Sequence, residues 1–387
     1  MDRPQSLNLA NWRQSPQSAW AFHHVGEVIP SQIIPGGDAV SPLPVELSDV
    51  VADAPVAGPD GANWSCDEWL QASQTDALLV AHKGRLVHEW YADADIENHA
   101  HIVFSVSKSI TATLAGVFVE QGLLDVNKLL EEYIPELKGS GYQGASLQNL
   151  LDMAISIDFN EDYEATEGRF IEYRASTGWH PCEVSEIDIN LHDFLVSLPP
   201  GDVAHGYACD YKSPNSDLLG WVIERATGES LATLFSRYLW QPMGAEADAL
   251  ITVDRKGSPR SAGGFCALPR DLLRFGEMVR QKGFYNNRQV VPESWVSECC
   301  EGGDPELWAR NEYSLRFPEG NYHNKWYQSR NSNKAVVAIG IHSQWIYIDP
   351  VAEVTIVKLS AQHSPLHDAL GTANLAHFAT ICDRLNA

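Results

Sequence analysis

Apolar and polar positions are organised most clearly in Ala77–Tyr91 (ALLVAHKGRLVHEWY), where two apolar runs flank Lys83-Gly84. That arrangement predicts a β-hairpin. Near the other end, Ala335–Ile341, Trp345–Ile348 and Val354–Leu359 read as three strands in succession, with Asp349-Pro350 turning the chain between the last two. Leu250–Val253 gives a shorter strand signal. Between these regions helical spacing takes over. Val106, Ile110, Leu114, Val117 and Phe118 recur at helical intervals, while Ala112, Ala115 and Gly116 lie on the side carrying Lys108. A helix apolar on one face and small on another is expected to be central and closely packed, and Gly122 is placed to end it. Further helices are read over Val126–Leu137, Leu147–Met153, His192–Leu198, Pro214–Ala226, Ser230–Trp240, Arg270–Arg280 and Leu366–Leu385. Asp158–Trp179 is polar and aromatic without a clear period, and residues 1–60 read as a mostly irregular arm laid over the body.

Strands near both ends of the chain with helices between them predict an α/β (α+β) architecture. Residues 1–125 and 246–387 would build one α/β domain, and residues 126–245 an all-α domain inserted in it. No internal repeat or low-complexity tract interrupts this pattern.

Composition narrows the function classes. In 387 residues, 44% are hydrophobic and 20% charged, which is a globular balance, and the formal charge is -24. A field of that sign repels phosphate backbones and anionic bilayers, so nucleic acid and membrane are not expected partners. Met1–Trp12 lacks an apolar signal run, no stretch is long and apolar enough for a membrane span, and seven cysteines are scattered without metal-ligand spacing. The expectation is a cytoplasmic protein with reduced thiols, acting on a small molecule, with a homodimer left open.

Candidate chemistry centres on Phe104-Ser105-Val106-Ser107-Lys108, which joins an extended apolar stretch to the central helix. Ser105 and Lys108 stand one turn apart, so hydroxyl and amine share a face. A lysine near a core is either salt-bridged or desolvated, and a desolvated, neutral amine can activate a serine hydroxyl. A second group is Tyr211-Lys212-Ser213-Pro214-Asn215. Tyr211 could pass a proton to a leaving group, whereas Ser213 with Pro214 fits an N-cap. A third is Gly340-Ile341-His342-Ser343-Gln344-Trp345, either a simple glycine-containing hairpin or an edge strand whose Ile341 N–H joins that of Ser105 in an oxyanion hole. His99 and His101 alternate as on a strand, but no third metal ligand lies nearby in sequence. G-x-S-x-G, H-E-x-x-H and both glycine-rich phosphate loops are absent.

Ser-Val-Ser-Lys at 105–108, Tyr211 and the late Gly-x-His segment resemble the serine hydrolases of the class C β-lactamase and D-alanyl-D-alanine carboxypeptidase superfamily. Within it the chain is similar to the branch of 6-aminohexanoate-dimer hydrolases and related carboxylesterases. Tyr133–Leu137, Ile155–Tyr163, Gly178-Trp179, Gly263-Gly264-Phe265 with Arg270-Asp271, and Trp20-Ala21-Phe22 carry the likeness along most of the chain. The resemblance implies the β-lactamase-like transpeptidase fold, an antiparallel sheet flanked by helices. It also implies cofactor-free hydrolysis with Ser105 as nucleophile, Lys108 as base, Tyr211 as proton donor and the amides of Ser105 and Ile341 as oxyanion hole. Tyr163 and Trp179 match cleft residues. His342 replaces the lysine of the β-lactamase K-T-G strand, and Arg174 stands where an amide-hydrolysing relative could hold a substrate ammonium with an acid. Asp162, Glu164, Glu167 or Glu172 could compensate by turning inward. The expected activity is hydrolysis of short-chain esters and, more weakly, linear amides such as 6-aminohexanoate dimer. The alternatives are a dedicated 6-aminohexanoate-oligomer amidase or a non-catalytic binding protein of the same fold.

Overall fold

The computed structural model describes residues 2–59, 61–181, 189–311 and 317–387. Its centre is a seven-stranded antiparallel sheet. In spatial order the strands are Asn321–His323, Trp326–Gln328, Val336–Gly340, Gln344–Asp349, Val354–Ser360, Thr75–His82 and Arg85–Tyr91. The Ala77–Tyr91 hairpin pairs with the last of the late strands, Ile356 opposite Val80, so the two ends of the chain close on each other. Strands Gln344–Asp349 and Val354–Ser360 are buried at every position and Thr75–His82 at all but its last, which is why apolar residues run on in them rather than alternating strictly with polar ones.

A smaller four-stranded sheet joins Ser31–Ile34, Ala249–Thr252, Phe265–Ala267 and His101–Ile102. Here the arm differs from the irregular segment expected, because Ser31–Ile34 pairs in register with Ala249–Thr252. Helix boundaries move for local reasons. Val126–Leu137 is not one helix: Leu130–Tyr133 stops before Pro135, and a 3-10 turn follows over Pro135–Leu137. Proline disfavours the α conformation in the residue before it, and Ile134 is accordingly extended at φ -130, ψ 86. Arg169–Ser176 forms a helix inside the segment that lacked a period. Helix Cys66–Ala72 was marked only by its capping box, Ser65 with Glu68. Among the described residues 126–245 contribute helices and isolated bridges but no named strand. One buried apolar cluster nevertheless runs from sheet residues Leu79 and Ile346 through Ile110 to Leu130, Leu218 and Ile223 in that region.

The helix after Ser105 spans Val106–Glu120 and is buried from Val106 to Phe118. It lies between helix Ser213–Thr227 on one side and strands Val336–Gly340 and Gln344–Asp349 on the other. Helix Glu293–Glu301 closes a third side, where Trp295 Nε1 donates to the Ala112 carbonyl at 2.9 Å. Gly116 makes room for that ring, since a Cβ there would stand 2.0 Å from Trp295 Cδ1. Gly116→Ala is therefore expected to destabilise by roughly 1–3 kcal/mol, although alanine favours helix by about 1 kcal/mol. A urea-unfolding midpoint equal to or above that of the parent would contradict this packing.

Candidate active site

Ser105 stands at the N-terminal boundary of the buried helix, and the residue before it, Phe104, has φ +43. A left-handed phenylalanine costs on the order of 1–3 kcal/mol, so its surroundings must hold it. Rings do so from several sides: Phe22, Trp179, Trp12 and His342 lie at centroid distances of 5.0, 5.9, 6.2 and 5.3 Å. Trp12 and Phe22 belong to the N-terminal arm, which thus helps to fix the turn that presents the serine.

Lys108 is 1% exposed, and its Nζ lies 2.7 Å from Ser105 Oγ while donating to the Ala262 carbonyl at 2.8 Å. Burial pushes its pKa down, repulsion from Arg260 adds to that, Glu161 and Asp217 oppose it, and the balance is about 7. A substantial neutral fraction at neutral pH leaves a lone pair that can take the Ser105 proton. The support beneath Lys108 is polar and buried. Asp217 accepts from Ala262 N at 2.8 Å and pairs with Arg260, and Tyr173 donates to the same carboxylate at 2.6 Å. A second buried amine, Lys325, donates to the Leu150 carbonyl at 2.5 Å, and burial together with Lys108 holds its pKa well below the ordinary value.

Tyr211 places its ring 5.0 Å from Lys108 Nζ and stacks at 6.4 Å on Tyr327. The N-cap expected at Ser213 is replaced. Ser213 is the first helical residue, and the carboxylate of Glu161 accepts from its N–H and, at 2.5 Å, from its Oγ. An acid at a helix N-terminus is favourable, because the unsatisfied amides there carry partial positive charge. Glu161 is thus the inward-facing acid of its segment. Asp162 and Glu164 are exposed, as is Glu167, and Glu172 pairs with Arg169 at 2.7 Å.

Val336–Gly340 is not an edge strand over its full length, since Val336 and Val337 pair with the strand beyond. From Ala338 to Gly340 it pairs on one side only, and this end borders Ser105. Gly340 lets it approach closely, as a Cβ there would lie 2.5 Å from the Val103 carbonyl. Among the described residues neither Ser105 N–H nor Ile341 N–H donates a backbone hydrogen bond, so both remain available to an oxyanion.

Of the remaining candidates, Tyr163, Arg174 and Trp179 line the cleft at Ser105, and His342 does not. His342 is 3% exposed, with Nδ1 donating to the Gln362 carbonyl at 2.7 Å. Burial, opposed by that hydrogen bond, lowers its pKa to about 4. Because His342 and Ser343 both take left-handed backbone conformations, at φ +59 and +70, the turn swings the imidazole behind the cleft. Its contact is structural: it steadies the turn that carries Ile341. Arg13, Glu161 and Arg260 were missed. Arg13 lies in an arm without periodicity, and the other two become visible only once distant segments meet.

The described residues that could together hold a metal are His23, Asp76 and His101, all three buried. Sequence spacing offered no third ligand for His101, yet the fold supplies two. His101 Nδ1 lies 2.6 Å from the Ile102 carbonyl and Nε2 lies 3.1 Å from the Asp76 carboxylate, so both ring nitrogens already face acceptors of the protein itself. Burial would raise the Asp76 carboxyl, but the contacts with His101 at 3.1 Å and His23 at 3.5 Å outweigh it and keep it below its usual range. The six described cysteines are free, Cys182 lies outside the described residues, and no described helix is long and apolar enough to cross a membrane.

Residues 68–380 match the β-lactamase family. The chain belongs to that family. A 6-aminohexanoate-dimer hydrolase from Paenarthrobacter ureafaciens is 35% identical over 358 residues, covering 92% of this chain and 88% of that protein. A Bacillus anthracis protein provisionally assigned as a 6-aminohexanoate-dimer hydrolase superposes with a TM-score of 0.90 at 25% identity, over 100% of this chain and 99% of the other. A family VIII carboxylesterase shares the fold at a TM-score of 0.57 and 15% identity, over 79% of this chain and 92% of its own. The β-lactamase-like fold, with antiparallel sheet and flanking helices, is the one expected from the sequence.

With the Lys108 pKa near 7, its neutral fraction grows as pH rises through that value. Labelling of Ser105 by a small fluorophosphonate is accordingly expected to accelerate with pH and level off above about pH 8. Lys108→Ala should be labelled far more slowly and lose this titration. A midpoint near the ordinary lysine value of about 10.4 would mean that Lys108 stays charged.

Proposed function

We propose that this β-lactamase-family protein is a cofactor-free serine hydrolase that works through an acyl-enzyme intermediate, with short-chain carboxylic esters as its substrates. The observation that carries this reading is the 2.7 Å contact between Ser105 Oγ and the buried Lys108 amine. Neutral Lys108 takes the serine proton as Oγ attacks the acyl carbon. The Ser105 and Ile341 amides receive the developing oxyanion, and Tyr211 passes a proton to the departing oxygen or nitrogen. The proton held by Lys108 restores Tyr211; water then attacks the acyl carbon as its proton passes to the same groups, and that proton returns to Ser105 Oγ as the Oγ–acyl bond breaks.

The cleft beside Tyr211 supports esters with apolar leaving groups, since Trp308, Phe317, Tyr327 and Leu366 line it. Resemblance to 6-aminohexanoate-dimer hydrolases supports a second activity on linear amides. Against it stands Arg174, a cation in the place where a substrate ammonium would need an acid. For β-lactams, the carboxylate on the ring that carries the departing nitrogen meets no cation on the Gly340–Gln344 turn, where His342 is buried.

Ser105→Ala is expected to remove turnover of p-nitrophenyl acetate and butyrate while leaving the fold intact. Lys108→Ala should lose on the order of ten thousand-fold or more, and the double variant should be little worse than either alone, because groups that act as one unit lose activity non-additively. Tyr211→Phe should cost unactivated alkyl esters roughly a hundredfold or more, and nitrophenyl esters much less, because a good leaving group hardly needs a proton. Equal losses on both classes would remove Tyr211 from the proton-donor role. In a substrate panel, short esters should exceed 6-aminohexanoate dimer in kcat/KM, with β-lactams lowest. A dimer value at or above the esters would make the protein an amidase, and absence of covalent label at Ser105 would make it a binding protein.

A further inference from the structure

Two cavities meet at Ser105, and their chemistry differs. One holds Tyr211 and is lined mainly by rings and aliphatic chains. The other does not reach Tyr211 and carries Arg13, Glu161, Arg174 and Arg260 together with Trp179.

These charges are not equivalent. Arg260 pairs with Asp217. The Glu161 carboxylate is engaged by Ser213 and by the Tyr163 hydroxyl at 2.5 Å. Arg13 and Arg174, by contrast, have no carboxylate within ion-pair distance among the described residues. Arg174, 7% exposed, donates to the Tyr163 carbonyl at 2.6 Å and lies 4.4 Å from the Phe170 ring centre. Arg13 lies over the Trp12 ring, and its buried Nε has no hydrogen-bond partner. Burial lowers the Arg13 pKa to about 9, with repulsion from Arg174 and Arg260 adding to it; burial and then Arg260 lower Arg174 to about 10, opposed by Tyr163, Asp162 and Glu161. Both therefore stay protonated at neutral pH. Two desolvated cations with no directly paired carboxylate among the described residues are costly, and a bound anion offsets that cost.

A leaving group must stand beside its proton donor, Tyr211, and of the two cavities that meet at Ser105 Tyr211 borders only the ring-lined one. The acyl chain then runs the other way, past Trp179 to the two arginines. On the serine-hydrolase reading above, we propose that this second cavity takes an acyl chain ending in a carboxylate, with Arg13 and Arg174 as specificity residues. The preferred substrates are half-esters of short aliphatic dicarboxylic acids. Ser105 Oγ forms a bond to the proximal acyl carbon as the ester C–O bond breaks and the alcohol leaves with a proton, and water then releases the dicarboxylate.

The test compares three phenyl esters of equal acyl length on the full chain: monophenyl adipate, phenyl hexanoate and phenyl 6-aminohexanoate, with phenyl acetate as reference. We expect kcat/KM to fall in that order, with adipate at least tenfold above hexanoate and the gap narrowing in 0.5 M salt. Arg174→Gln and Arg13→Gln should each reduce the adipate-to-hexanoate ratio about tenfold, Arg174→Lys should restore part of it, and Arg174→Asp should raise the aminohexanoate ester above adipate. A disturbed cleft without a charge role would lower all three esters together. Adipate no better than hexanoate, or a ratio unchanged in both glutamine variants, overturns the proposal while turnover of phenyl acetate leaves the hydrolase reading standing. If no ester is turned over, the hydrolase reading fails separately. Calorimetric titration of Ser105→Ala with monomethyl adipate then decides the cavity alone, by binding that weakens at least tenfold on adding Arg174→Gln or by no binding at all.

Discussion

A primary amine held inside a helix that is buried along its length is the constraint on which the rest of the site depends. Desolvation disfavours the ammonium form of Lys108, while Glu161 and Asp217 favour it, and the outcome near 7 follows from that opposition. Too little burial would leave a cation unable to take a proton. Without the carboxylates the amine would be too weak a base. The surroundings of Lys108 are correspondingly over-determined. Asp217 fixes the Ala262 peptide whose carbonyl accepts from Nζ, and Arg260 and Tyr173 complete the network around that carboxylate. Such a network is favourable only when nearly all its polar groups are satisfied, which gives these distant residues one shared task.

Geometry at Ser105 comes from three elements packed on one helix. Helix Ser213–Thr227 brings Tyr211 and the Glu161 cap, the end of strand Val336–Gly340 brings the Ile341 amide, and helix Glu293–Glu301 presses Trp295 over Gly116 from a third side. The N-terminal arm is the fourth contributor. It closes an aromatic cage around the left-handed Phe104, and it delivers Arg13 to the cavity beside the serine. A segment without periodicity thus shapes both the presentation of Ser105 and the charge of its surroundings.

The sequence by itself determined the elements whose signal is local. The hairpin around Lys83-Gly84, the three late strands, and a Ser105-to-Lys108 pair on one face of a tightly packed helix follow from side-chain period and turn chemistry, which need no partner to be read. Tyr211 and Ile341 were legible as motifs, because their surroundings in sequence are unusual. Tertiary structure decided what those motifs face. His342 sits two residues before a strand residue and reads as a cleft group, yet two consecutive left-handed residues turn it into the core. Pro135 divides a helix that its apolar spacing implied. Which acid of the segment from Glu161 to Glu172 turns inward depended on a helix N-terminus some fifty residues away. The cationic cavity joins Arg13, Arg174 and Arg260 from three separate stretches of chain. Desolvation and charge–charge coupling act through space, so the pKa of Lys108 and the electrostatics of the cleft exist only once distant segments have packed together.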